Sequence, residues 1–85
     1  PQRRHRRPPK PPVPRRRSYR EARELEALDR DLPAWEGHRS KLEAQLASPG
    51  LSHPQLEALT SELADLSERI HRGEERWLEL SDLPN

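Results

Sequence analysis

The first seventeen residues carry eight basic side chains and no acidic one. These basic residues are Arg3, Arg4, Arg6, Arg7, Lys10, Arg15, Arg16 and Arg17. Arginine forms bidentate hydrogen bonds with phosphate, and its binding to a nucleic acid releases counterions. The pattern therefore predicts sequence-independent contact with DNA or RNA, and Arg20 and Arg23, which follow directly, extend the candidate surface. The alternative is a solvated linker that keeps two domains apart.

Other side chains with chemical potential are isolated in the sequence. Tyr19 could stack on a nucleobase, but one aromatic residue does not form a stacking platform. Glu68 and His71 match half of a di-iron carboxylate motif, which needs two copies and further carboxylates. The chain has no cysteine and no Gly-rich phosphate loop ending in Gly-Lys-Ser/Thr. We therefore expect no catalytic residue, no metal and no cofactor in this segment, and we expect it not to be an enzyme.

The rest of the chain has the opposite charge. Residues 18–85 hold the other eight basic residues and all fifteen acidic ones, so their net charge of −7 offsets the +8 of residues 1–17 and leaves +1. Only 29% of the residues are hydrophobic and 36% are charged. A short chain this polar does not enclose a large core, but a coiled coil needs only two apolar positions per heptad.

The proline and leucine patterns predict the secondary structure that carries the basic residues. Six prolines predict that residues 1–17 form a disordered, extended linker. Leucines and tryptophans then recur with a three–four spacing typical of a coiled-coil seam. The seam residues are Leu25, Leu28, Leu32, Trp35, Leu42 and Leu46, followed by Leu56, Leu59, Leu63, Leu66, Ile70, Trp77 and Leu80. Trp35 and Trp77 are therefore expected to pack in the core.

Capping motifs and breakers set the expected helix ends. Ser18 with Glu21, and Ser52 with Gln55, are Ser-x-x-Glu/Gln capping boxes. The turn lies at 48–50, where proline and glycine follow serine. Pro33 should interrupt the first helix, because proline removes a backbone donor and clashes with the preceding turn. The prediction is an all-α, antiparallel two-helix coiled-coil hairpin over 18–83, preceded by a short helix, with helices at about 18–29, 33–47 and 53–81.

Folding about the turn pairs positions whose numbers add up to about 102. Trp35 then faces Leu66, and Gly73 falls near Leu28, where a bulky neighbour could fill the gap. Six arginines are brought to the end of the hairpin away from the turn. They are Arg20, Arg23 and Arg30 on the first helix and Arg69, Arg72 and Arg76 on the second. Either they form a basic surface next to the linker, or they pair with glutamates of the helices for a few tenths of a kcal/mol each, as is typical of such pairs (~0.2–0.5).

Three stretches resemble a known family. Residues 18–28, SYREARELEAL, are similar to the SYKEQRELEAL opening of the C-terminal domain of Uup-type ABC-F ATPases. Residues 41–49, KLEAQLASP, resemble that family's LEAxLADP helix end, and residues 76–80, RWLEL, resemble its closing ERWEELE helix. The chain departs from the family at Asp29, where a proline is frequent, and at Pro33, Gly37 and Gly73.

The resemblance implies a larger cytoplasmic parent with two tandem ATP-binding cassettes that hold ATP and Mg²⁺, upstream of this hairpin. It also implies ribosome association and binding to DNA or ribosomal RNA by a noncatalytic domain. The partners expected are nucleic acid and the parent's ATPase domains, with no membrane. The alternative is a structural coiled coil that dimerises or docks onto its own parent.

Overall fold

The computed structural model describes residues 15–85, which form two long helices. Helix α1 spans Tyr19–Leu46 and helix α2 spans His53–Ser81, with 28 and 29 residues. The helices run antiparallel, since Glu24 near the start of α1 meets Arg76 near the end of α2. The predicted all-α hairpin is confirmed, and no strand occurs within residues 15–85. In the same range, neither helix combines the length and apolar character needed to cross a membrane.

Both predicted capping boxes are present. The Ser18 hydroxyl accepts a hydrogen bond from the Glu21 N–H at 3.1 Å, and the Glu21 carboxylate accepts one from the Ser18 N–H at 2.9 Å. The Ser52 and Gln55 pair repeats this arrangement at 3.2 and 2.8 Å. Each box satisfies two backbone donors that the first helical turn would leave without partners. These boxes fix the start of each helix within one residue of the prediction.

The connection between the helices also follows the prediction. The N–H of Ser48 donates to the carbonyl of Gln45 at 3.1 Å, which tightens the last turn of α1. Gly50 then adopts a φ of +80°, a conformation that side-chain-bearing residues rarely take. The chain reverses there and enters α2 through Ser52.

The apolar seam is thin and lies mainly away from the turn. Its buried side chains are Leu28, Leu42, Leu66, Ile70 and Leu80. Trp35, Leu59 and Leu63 are partly buried and pack against the cluster of Leu42, Leu66 and Ile70. Leu56, close to the turn, remains 40% exposed. The buried side chains therefore extend from the middle of the hairpin to Leu80, near the end of α2.

Gly73 allows the helices to approach closely. A Cβ atom at this position would lie 3.0 Å from Cδ2 of Leu32, 3.1 Å from Cζ3 of Trp35 and 3.6 Å from Cδ2 of Leu28. The prediction that Gly73 faces Leu28 is thus confirmed, and Leu32 and Trp35 fill the space that the missing side chain leaves.

The predicted break at Pro33 is wrong. Helix α1 continues through Pro33 without interruption, so there are not separate helices at about 18–29 and 33–47, and within residues 15–85 no short helix precedes the hairpin. Proline in a helix interior costs about 3 kcal/mol relative to alanine. Here Leu28 on one side of Pro33, and Leu32 and Trp35 around it, all pack towards Gly73 of α2. This packing holds both flanking turns in one helix, while Pro33 itself lies on the exposed side.

Candidate nucleic-acid interface

The candidate phosphate-binding residues fall into two groups. Arg3, Arg4, Arg6, Arg7 and Lys10 lie outside the described residues. Arg15, Arg16, Arg17, Arg20 and Arg23 are described, and they surround the start of α1. We call residues 15–24 together with residues 76–84 the open end of the hairpin, and residues 46–56 the turn end.

A backbone hydrogen bond attaches the last residue of the basic segment (residues 1–17) to the residues that follow α2. The N–H of Arg17 donates to the carbonyl of Pro84 at 2.8 Å, so the residue just before α1 is tied to the residues just after α2. Arg17 is half-buried there, whereas Arg16 and Arg20 on either side are exposed. Arg17 is therefore held beside the residues that follow α2.

Arg15 is engaged within the protein. The two terminal nitrogens of its guanidinium donate to different oxygens of the Glu21 carboxylate, each at 2.6 Å. This pair, together with the backbone N–H of Ser18, lowers the pKa of Glu21 to about 2. The same bidentate pair raises the pKa of Arg15. Arg15 thus stabilises the capping box rather than presenting all its donors to a phosphate.

A second bidentate ion pair crosses between the helices. Arg76 of α2 donates to the two Glu24 oxygens of α1 at 2.8 and 2.9 Å, and it also lies 3.5 Å from Glu79. The hydrogen bonds from Arg76 lower the pKa of Glu24 and raise that of Arg76. The sequence placed both residues near the open end, but it did not show that they pair with each other.

Arg16 and Arg20 differ from these residues because they have no internal partner. Both are exposed, and neither forms an ion pair with any residue in the range 15–85. Arg23 is also exposed; it lies 3.7 Å from Glu26 and donates to the Tyr19 hydroxyl at 3.1 Å. Its guanidinium carbon stands over the Tyr19 ring, 5.8 Å from the centroid.

The remaining arginines of the predicted basic end are largely paired with acids. Arg30 lies 3.3 Å from Asp31, and Arg72 pairs with Glu68 one turn earlier in α2. An open groove of about 500 Å³ runs along this region. Its charged lining is Glu24, Asp65, Glu68, Arg69, Arg72 and Arg76, three acids and three bases. The alternative of helix ion pairs therefore describes Arg72 and Arg76 of α2, whereas Arg69 lies over the Trp35 ring.

The two tryptophans make contacts within the hairpin. Trp35 is half-buried against the core cluster, and the Arg69 guanidinium lies 5.7 Å from its ring centroid. Trp77 donates its indole N–H to the Asp29 carboxylate at 2.6 Å. The sequence did not reveal this bond. Pairing positions that add up to about 102 puts Trp77 opposite Leu25, which is one turn of α1 away from Asp29. Asp29 stands where the resembled family frequently has proline.

The three histidines within residues 15–85 each lie beside one carboxylate. His71 is 3.7 Å from Glu75 and forms no site with Glu68, the residue that the half motif suggested. Within residues 15–85, no three His, Asp or Glu side chains converge in a way that would hold a metal ion. At the open end, the described surface presents the exposed side chains of Arg16, Tyr19 and Arg20.

One comparison with known proteins found a match. A family model described as the ABC transporter C-terminal domain matches residues 16–82. The match covers both helices and the turn, and it begins only two residues before Ser18. Neither the curated proteins nor the solved structures contain a match.

Proposed function

We propose that this chain, which belongs to the family of ABC transporter C-terminal domains, is a noncatalytic domain that holds nucleic acid for an ABC-F type ATPase of the Uup kind. One observation supports this most: Arg16 and Arg20, near the end of the basic segment, are exposed and form no ion pair within residues 15–85. In this proposal, ATP and Mg²⁺ bind in other domains of the parent protein, and this domain supplies only binding.

The charge distribution supports a polyanionic partner. The basic segment carries +8 and the rest of the chain −7, so attraction to phosphate is concentrated in one part of the sequence. The segment ends in Arg15, Arg16 and Arg17, and within residues 15–85 only Arg15 of these three forms an ion pair with a carboxylate. Acidic side chains over the remainder of the hairpin repel phosphate, which restricts contact to the open end.

The hairpin would orient this charge. The Arg17–Pro84 hydrogen bond and the Arg15–Glu21 ion pair hold the last residues of the basic segment against the hairpin. Because the arginine side chains start from a fixed point, less conformational entropy is lost when phosphates bind. The contacts themselves are with the backbone of DNA or ribosomal RNA, and they are independent of base sequence.

A titration at several salt concentrations tests the proposal. The chain is titrated into labelled DNA and RNA oligonucleotides between about 50 and 200 mM salt. If six phosphates of a duplex are contacted, the slope of log K against log salt is about −5. Binding that does not respond to salt would overturn the proposal.

A matched pair of variants locates the contacts. Replacing Arg16 and Arg20 together with glutamine should reduce the steepness of the salt slope by about 2, because each lost phosphate contact removes about 0.9. The control replaces Lys41 and Arg69 with glutamine, which removes the same charge from exposed positions outside the open end. Equal losses in both variants would show that the contacts are not at the open end.

A structural role is the second candidate, and two exposed leucines favour it. Leu78 is 58% and Leu56 40% exposed. Either could pack against a second copy of the chain or against the parent ATPase. Sedimentation of the chain with and without oligonucleotide separates the two functions: a stable dimer that ignores nucleic acid supports the structural role.

A further inference from the structure

Tyr19 and Arg23 form a pair on the first turn of α1 whose ring has no packing function. The Tyr19 residue is 77% exposed, although tyrosine rings in folded proteins usually cover apolar surface. Its hydroxyl accepts a hydrogen bond from Arg23 at 3.1 Å, and the Arg23 guanidinium stands over the ring at 5.8 Å from the centroid. We propose that this pair is a stacking site for an unpaired nucleobase, which deepens the proposed function and rests on it.

The geometry leaves the ring held but accessible. The Arg23 guanidinium meets the ring at its hydroxyl, with the guanidinium carbon 5.8 Å from the centroid, and the residue remains 77% exposed to solvent. The hydrogen bond and the cation–π contact both restrict the Tyr19 side chain, so a base that stacks on it finds a partly ordered partner. Arginine guanidinium planes stack on bases as well.

A second cation–π pair in the same molecule shows what a structural pair looks like. Arg69 lies over Trp35 at 5.7 Å, almost the same separation. Trp35, however, is only partly exposed, packs against the core cluster, and contributes to the tight contact at Gly73. Its ring is therefore used within the hairpin, whereas the Tyr19 ring contacts nothing comparable.

The charges next to Tyr19 suit the phosphates on either side of a stacked base. Arg16 precedes Tyr19 by three residues and Arg20 follows it directly, and both are exposed without an ion pair to residues 15–85. Stacking on the ring requires a base that is not already in a helix stack. The class of ligand is therefore single-stranded nucleic acid, or an unpaired nucleotide in a loop or at an end, and not the interior of a duplex.

The test compares single-stranded and duplex oligonucleotides of equal length and sequence. Tyr19→Leu should weaken binding to the single strand about tenfold, as loss of a base–aromatic stack does, and change duplex binding less than twofold. Tyr19→Phe keeps the ring and should retain most of the single-strand affinity. Leu56→Ala, which removes an exposed apolar side chain at the turn end, is the control and should change neither affinity.

A direct readout uses a 2-aminopurine base in the single strand. Stacking on Tyr19 should quench its fluorescence in the wild-type chain, and Tyr19→Leu should abolish that quenching. If the wild type binds both strands in a salt-dependent way but Tyr19→Leu leaves the single-strand affinity unchanged, or lowers both affinities equally, the stacking site is refuted and the proposed function stands. If no nucleic acid binds, the proposed function itself fails.

Discussion

The two ends of the hairpin are held together by different means. At the open end, Arg76 pairs with Glu24 across the helices, the Arg17 N–H bonds to the Pro84 carbonyl, and Leu80 is fully buried. At the turn end, the chain relies on a capping box and a glycine turn, and Leu56 remains 40% exposed. A hairpin joined by a short connection would be expected to loosen away from that connection. Here the Arg76–Glu24 ion pair and the Arg17–Pro84 hydrogen bond cross-link the end that carries the proposed interface, and they hold Arg17 beside the hairpin.

The largest expected difference between the two ends comes from truncating one leucine in each. Leu80→Ala should lower the free energy of unfolding by about 3 kcal/mol, because a fully buried leucine loses its contacts and leaves a cavity. Leu56→Ala should cost less than about 1 kcal/mol, since that side chain is already partly in water. Urea unfolding followed by circular dichroism measures both. Equal losses would show that the two ends contribute alike.

A pair of glycines tests the close approach of the helices in the middle of the seam. Gly37→Ala should stabilise the chain by about 1 kcal/mol, because alanine favours helix and a Cβ there meets nothing within 4 Å. Gly73→Ala has the same helix preference, but its Cβ would press on Leu32 and Trp35 at 3.0 and 3.1 Å. The Gly73 variant should therefore be less stable than the Gly37 variant by about 1 to 2 kcal/mol. If both substitutions stabilise the chain to the same degree, the helices do not pack as closely as described.

The ion pairs of the open end predict a smaller effect of pH. The pKa of Glu21 is lowered from its ordinary value of 4.5 to about 2, and that of Glu24 is also lowered. A carboxyl group with a lowered pKa in the folded state stabilises the fold fully above its unfolded pKa. This stabilisation is lost as the pH falls towards the folded pKa. The melting temperature should therefore fall between about pH 4.5 and pH 2.

The variant Glu21→Gln checks which carboxylate is responsible. It should flatten part of the pH dependence, because the glutamine does not titrate between pH 4.5 and 2. Glu43→Gln, at an exposed position that forms no ion pair within residues 15–85, serves as the control and should leave the dependence unchanged. A pH dependence that is the same in all three proteins would rule out the Arg15–Glu21 pair as its source.

The sequence predicted the features of this fold that depend on local chemistry. The capping boxes at Ser18 and Ser52 and the turn at Gly50 are short-range motifs, so they could be located without knowing the partner helix. The heptad pattern likewise predicted the seam and the approach of Leu28 to Gly73.

The features that the sequence did not reveal depend on contacts between the helices. Pro33 breaks a helix by its own preference, but packing across Gly73 on both of its sides outweighs that preference. The Trp77–Asp29 bond needs a long side chain to reach past its nearest opposite position. In the candidate interface, which of the arginines are neutralised by glutamates depends on side-chain geometry that spacing alone does not provide.

If the proposed function is right, nucleic acid contacts the open end of the hairpin and not the turn end. Backbone amide NMR signals of the 85-residue chain, recorded while a single-stranded oligonucleotide is added at low salt, locate the contact residue by residue. The signals of Arg16, Tyr19 and Arg20 should shift, while those of Ser48, Gly50 and Ser52 at the turn end should stay in place. Shifts centred on the turn end, or spread evenly along both helices, would show that the open end is not the binding surface.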